Sequence, residues 1–156
     1  DRRLSTMSLE RDQLEKLIRQ LIEEELAGGS SSEMERVKLN NGLISVKGKT
    51  VNCERFDTGN PTDQVNLKDV VDLKESPNMG AGYMEIINGK PFKWNLSYDE
   101  FDIILDGTLE IQSDQGTIRG SAGDTLFIPK GSNIVFNCPE GEKVRFVYVT
   151  YPADWQ

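Results

Sequence analysis

The chain has 156 residues, enough for one ordinary domain of about 100–150 residues and an appendage. Its 18 basic and 26 acidic residues leave a net charge of −8, which argues against nucleic acid and anionic membranes as partners, because both attract a basic face. There is no histidine, which removes Ser-His-Asp and Cys-His nucleophilic catalysis, imidazole metal sites and histidine general bases together.

In chain order, the first predicted element is an N-terminal amphipathic helix within residues 1–26. Leu14, Leu17, Ile18, Leu21 and Ile22 recur at steps of three and four, with Arg11, Glu15, Lys16, Arg19 and Glu23 between them. Ser8 suits the N-cap and Gly28 or Gly29 the left-handed C-cap. Residues 27–36 follow as a Gly/Ser-rich linker, Ala-Gly-Gly-Ser-Ser-Ser at its start, whose small residues predict a flexible tether.

From residue 37 to 156 the pattern becomes short β runs punctuated by Gly, Asn, Asp and Pro. Phe101, Ile103 and Leu105, then Leu109 and Ile111, Leu126 and Ile128, Ile134 and Phe136, and Phe146 to Tyr151 carry it. This spacing predicts an all-β sandwich or closed barrel, with Asp106-Gly107 as the tight turn of one hairpin. The segment GLISVKGKT, from Gly42, is a near miss for a phosphate-binding loop. Five residues separate its glycines where four are needed, so it reads as a strand and a turn. Cys53 and Cys138 match no metal or redox spacing and are expected reduced. No run approaches the roughly 18 apolar residues of a membrane span, so the chain reads as cytoplasmic.

Two stretches resemble known motifs. WNLSYDEFDIILDGTLEI, beginning at Trp94, is similar to the first cupin motif, with Glu100 followed after six residues by Gly107. GDTLFIPKG, from Gly123 to Gly131, is similar to the second. The metal-binding histidines are replaced: Trp94 and Leu96, or Lys93 and Asn95 in the alternative register, stand for the first two and Ile134 for the third. With the closing VRFVYVTYPADWQ, these runs resemble the EutQ family of ethanolamine utilisation proteins of bacterial microcompartments. The resemblance implies a cupin-type double-stranded β-helix or jelly-roll barrel, a homodimer, and an acetate kinase activity using Mg-ATP without a tightly bound cofactor.

In an extended strand every second side chain shares a face, which groups Tyr98, Glu100, Asp102 and Ile104. If the cupin resemblance holds, that face lines the cavity. Glu100 and Asp102 are then the candidate catalytic carboxylates and Mg²⁺ ligands, and Tyr98 a catalytic donor. Trp94, Asn95 and Lys130 are candidate ligand contacts, Trp94 by stacking and Lys130 by meeting a phosphate. The other basic residues near the motifs are Lys93 and Arg145. The plainer reading is a solvated acidic strand face with Glu100 as a structural carboxylate. The tethered helix, in turn, resembles the encapsulation peptides that carry cargo into microcompartments, and its apolar stripe would dock on shell or cargo proteins. A non-catalytic assembly or metabolite-binding cupin is the alternative to the kinase.

Overall fold

The computed structural model describes residues 11–20, 33–87, 90–139 and 142–155. The chain divides into two compact units, Asp1–Met34 and Glu35–Gln156. In the first, residues 11–20 are helical, and Leu14, Leu17 and Ile18 of the apolar stripe are exposed. Leu21, Ile22 and most of the predicted tether lie outside the described residues.

Among the described residues the second unit contains twelve strands. They are β1 (Arg36–Lys38), β2 (Ile44–Val46), β3 (Glu54–Arg55), β4 (Val65–Asp69), β5 (Gly80–Ile87), β6 (Phe92–Asn95), β7 (Asp99–Asp106), β8 (Thr108–Ser113), β9 (Gly116–Ser121), β10 (Thr125–Ile128), β11 (Asn133–Asn137) and β12 (Lys143–Tyr151). A six-stranded sheet runs β10-β7-β12-β5-β4-β3, a four-stranded sheet β6-β11-β8-β9, and β1 pairs only with β2. GLISVKGKT forms β2 and the short 3₁₀ turn Gly48–Thr50, a strand and a turn with no phosphate-binding loop.

Alternation explains the layering. Along β12, Val144, Phe146, Tyr148 and Thr150 are buried while the residues between them are partly open, and β-branched and aromatic types dominate, as a half-buried pleat favours. Val65 and Ile86 of the larger sheet meet Leu109, Ile111 and Phe136 of the smaller one in a single core. Burying each such side chain is worth roughly 1.5–3 kcal/mol, so this core supplies the main favourable term.

The predicted hairpin at Asp106-Gly107 is corrected. β7 pairs with β10 and β12, whereas β8 pairs with β11 and β9, so Gly107 is the corner at which the chain leaves one sheet for the other. Its φ of 78° and the collision that a Cβ would make with the Lys143 carbonyl both demand glycine. Gly123 and Gly131, also at positive φ, flank β10 as the second motif leads one to expect.

The β1–β2 hairpin is tied to the loop before β5 by a two-pronged ion pair. Arg36 donates to both Glu75 oxygens at 2.9 and 2.7 Å and to the Val70 carbonyl. Those bonds hold the Glu75 carboxyl down at about 2. Neither cysteine forms a disulfide; Cys138 is buried and Cys53 partly so, and burial pushes the Cys53 thiol up to about 11.

Candidate functional site

The alternation through β7 sends Tyr98, Glu100, Asp102 and Ile104 inward. Glu100 is 6% exposed and Asp102 fully buried, a costly placement for acidic groups. Register supplies their neighbours. Glu100 lies between Ile128 of β10 and Thr150 of β12, and Asp102 between Leu126 and Tyr148. One strand further on, Thr150 and Tyr148 face Gly80 and Gly82 of β5. A Cβ at Gly80 would come within 2.5 Å of the Thr150 hydroxyl, and one at Gly82 would strike the Tyr148 hydroxyl, so the two glycines make room for polar side chains.

Four oxygens of this row lack a hydrogen-bond partner: Glu100 Oε2, both Asp102 oxygens and Thr150 Oγ1. Two ionised carboxylates side by side offer each other no donor. A proton between them satisfies one through the other, and burial raises both pKa values, Glu100 to about 7 and Asp102 well above the carboxylate range. Burial of the two side by side therefore favours a pair that keeps a proton. Tyr98 accepts the Trp94 indole N–H at 2.6 Å, and burial and the Glu100 charge push its hydroxyl pKa up. The Tyr148 hydroxyl donates to Asp69 Oδ1, which also takes the Trp155 indole N–H at 3.2 Å.

Above Glu100 is a cavity of about 20 Å³, the room of roughly one water molecule. Tyr98, Tyr148, Trp94, Trp155 and Phe56 are among its walls, and no described lysine or arginine is. The rings of Phe56, Trp94 and Trp155 stand 5.3–6.3 Å apart, inclined to one another by 58–74°.

Among the predicted residues, Glu100, Tyr98 and Trp94 are brought to this cavity, with Asp102 behind Glu100. Asn95 and Lys93 are not. The pleat buries Phe92 and Leu96 and leaves Lys93 and Asn95 exposed on the opposite face. Lys130 is an exposed turn residue whose backbone N–H donates to Asp99 Oδ1 at 2.7 Å. Arg145 is occupied elsewhere: it donates to Glu85, Gly48 O and Val51 O and lies over the Tyr83 ring. Sequence reasoning missed Thr150, Tyr148, Phe56 and Trp155. The alternation of β12 carries a signal for the first two, whereas the inward turn of Trp155 is set by tertiary contacts.

Mg²⁺ demands six oxygens in a near-octahedral shell and ATP demands cationic partners. Among the described residues no group of three or more Cys, Asp or Glu side chains is placed to hold a metal. With water-sized room and no basic wall, the interior does not fit Mg-ATP.

These features define a class: a cupin-type barrel whose sequence holds no histidine. In shape it is similar to the cupin domain of Schizosaccharomyces pombe Cnp3, with a TM-score of 0.59 at 18% identity over 78% of this chain and 88% of that one. The chain belongs to the EutQ family of ethanolamine utilisation proteins, whose pattern it matches over residues 9–156. It is 44% identical over 152 residues, 95% of both chains, to a Clostridioides difficile protein named acetate kinase EutQ. It is 38% identical over 149 residues to the Salmonella typhimurium protein of the same name, of whose length it spans 63%. The structure of the Clostridium difficile EutQ protein superimposes with a TM-score of 0.74 at 46% identity, over 80% of this chain and 90% of that one. No described helix is long and apolar enough to cross a membrane.

Proposed function

We propose that this protein acts in ethanolamine utilisation as an acetate kinase, converting acetate and ATP to acetyl phosphate and ADP within a cytoplasmic bacterial microcompartment. The observation that carries the proposal is the 44% identity, across 95% of both chains, to a Clostridioides difficile protein named for that activity. In this reading Glu100 and Tyr98 meet acetate, and Asp102 behind Glu100 acts through it. The protonated carboxyl and the phenol are the donors a carboxylate ligand needs. Because the interior does not fit Mg-ATP, no phosphoryl step is routed through the two acids as Mg²⁺ ligands.

The test is acetyl phosphate formation by purified protein supplied with acetate and Mg-ATP, trapped as the hydroxamate. Activity that falls at least tenfold in Glu100→Gln supports the reading. A rate unchanged by Glu100→Gln points to a contaminant or to a site outside the barrel, and no product at all overturns it.

One observation favours a second reading, a non-catalytic microcompartment component: the acid pair lacks nucleotide-sized room and any basic wall. The exposed stripe of Leu14, Leu17 and Ile18 then docks on shell or cargo protein. Removing residues 1–26 is expected to abolish co-sedimentation with shells while leaving the barrel folded.

A homodimer accompanies either reading. Its support is the outer face of the six-stranded sheet, where the Phe101 and Phe127 rings lie 4.8 Å apart, tilted by 40° and both about half exposed, with Val149 beside Phe101.

A further inference from the structure

Two cavities meet at one side chain. The acid chamber has room for roughly one water molecule, whereas the cleft between the 71–80 loop and the C-terminal turn has a volume of about 510 Å³, and Trp155 lines both. A ring shared by two cavities is the partition between them. The described walls of the chamber differ in how they are carried. Trp94, Glu100 and Tyr148 belong to β6, β7 and β12, Tyr98 directly precedes β7, and Phe56 follows β3 with its N–H on the Val65 carbonyl at 2.9 Å. Trp155 lies beyond the end of β12 at Tyr151 and in no strand. Shifting the first group disturbs the paired sheets. Shifting Trp155 gives up its indole hydrogen bond to Asp69 and its ring contacts with Phe56, Trp94 and Tyr148, and leaves every strand in place. The cleft also offers the displaced ring an apolar bed, because Leu73 and Met79 line it and are both more than half exposed.

We propose that Trp155 is a gate to the acid chamber: with the indole turned out against Leu73 and Met79, the chamber opens into the cleft and Glu100 comes within reach of a solute of several heavy atoms. With the indole in place, Phe56, Trp94 and Trp155 pack on one another and seal the chamber. Asp69 is the latch, since it lines the cleft and accepts both the Trp155 indole N–H at 3.2 Å and the Tyr148 hydroxyl. This inference does not rest on the acetate kinase reading; it supplies the entry route that a ligand of Glu100 requires, because the closed chamber has no room for one.

Trp94 and Trp155 are the two tryptophans of the chain, and both line the chamber, so their indole N–H groups report the gate. Native-state hydrogen exchange of the two is followed by NMR on the isotope-labelled full chain at several low urea concentrations. The Trp155 N–H is expected to exchange at least about tenfold faster than the Trp94 N–H and with little urea dependence, the mark of a local opening. Equal rates with equal urea dependence would mean that Trp155 leaves only when the barrel unfolds, and would overturn the proposal. A second arm asks whether the opening reaches Glu100. Trp155→Ala joins the chamber to the cleft, so the Glu100 carboxyl, which burial raises to about 7, should titrate well below that value by carbon NMR, while Trp155→Phe, which keeps a ring in the gap, should leave it nearly in place. A Glu100 titration alike in both variants and the unmodified chain also overturns the gate. Circular dichroism confirms that the variants keep their fold, and the exchange arm tests the proposal without any variant.

Discussion

Glu100 of β7 stands directly across from Thr150 of β12, and neither Glu100 Oε2 nor Thr150 Oγ1 has a hydrogen-bond partner. The barrel thus encloses acids that burial drives toward the protonated form, and the stability of the fold records that through pH. A carboxyl whose pKa is raised on folding binds its proton more tightly in the native chain than in the unfolded one. Its contribution is complete below the ordinary value of 4.5 and is lost as pH rises through about 7. For Glu100 the change is on the order of 3 kcal/mol. Urea unfolding is expected to give a more stable protein at about pH 5 than at about pH 8. Glu100→Gln should flatten that slope and raise stability at the higher pH. Asp114→Asn, which removes the same charge from an exposed turn, should leave the slope in place.

The two glycines opposite the hydroxyl side chains set the shape of this interior. A Cβ at Gly82 would strike both the Tyr148 hydroxyl and the Lys68 carbonyl, and the carbonyl belongs to a paired strand that cannot yield. Gly82→Ala is expected to cost about 3 kcal/mol, the upper range for overpacking. Gly59→Ala has open space around its Cβ but a φ of 88°, so it pays only local backbone strain of roughly 1 kcal/mol. Chemical denaturation of the two variants should reproduce that order, and equal losses would contradict it.

The period of two makes the inward set of β7 legible from the letters: Tyr98, Glu100, Asp102 and Ile104 fall on one face whatever the fold. Which strands lie beside β7 is not legible, because pairing is decided by the core as a whole. Asp106-Gly107 therefore reads as a hairpin turn until β8 is seen paired with β9 and β11. Thr150 was hidden for the same reason: its letter says that it faces inward, but only the register places it opposite Glu100. Aromatic walls drawn from Phe56, Trp94 and Trp155, up to a hundred positions apart, leave no local pattern to find.

The outer face of the six-stranded sheet offers the expected dimer contact. Phe101 and Phe127 pair at a tilt of 40° across β7 and β10, and Ile103, Val147 and Val149 extend the apolar surface. Phe101→Glu places a charge at its centre without touching the core, since the ring is about half exposed. Sedimentation equilibrium is expected to show a dimer for the unmodified chain and at least a tenfold weaker association for the variant. Ile118→Glu, equally exposed but on the four-stranded sheet, should leave the mass unchanged. A monomer mass for the unmodified chain would remove the dimer proposal.

Asp69 fastens the C-terminal turn to the barrel. One of its oxygens receives both the Tyr148 hydroxyl and the Trp155 indole N–H, from side chains that are themselves almost fully buried. Asp69→Ala would leave two buried donors without an acceptor, at about 1–3 kcal/mol each, so a loss of about 3 kcal/mol is expected. Tyr148→Phe removes one donor together with its need for a partner and should cost only about 1 kcal/mol. Emission separates a local from a global effect. In a Trp94→Phe background Trp155 is the remaining indole, and Asp69→Ala should shift its emission to the red in native buffer while Tyr148→Phe does not. If Asp69→Ala left both stability and emission unchanged, the shared acceptor would have no part in holding Trp155 against the cavity.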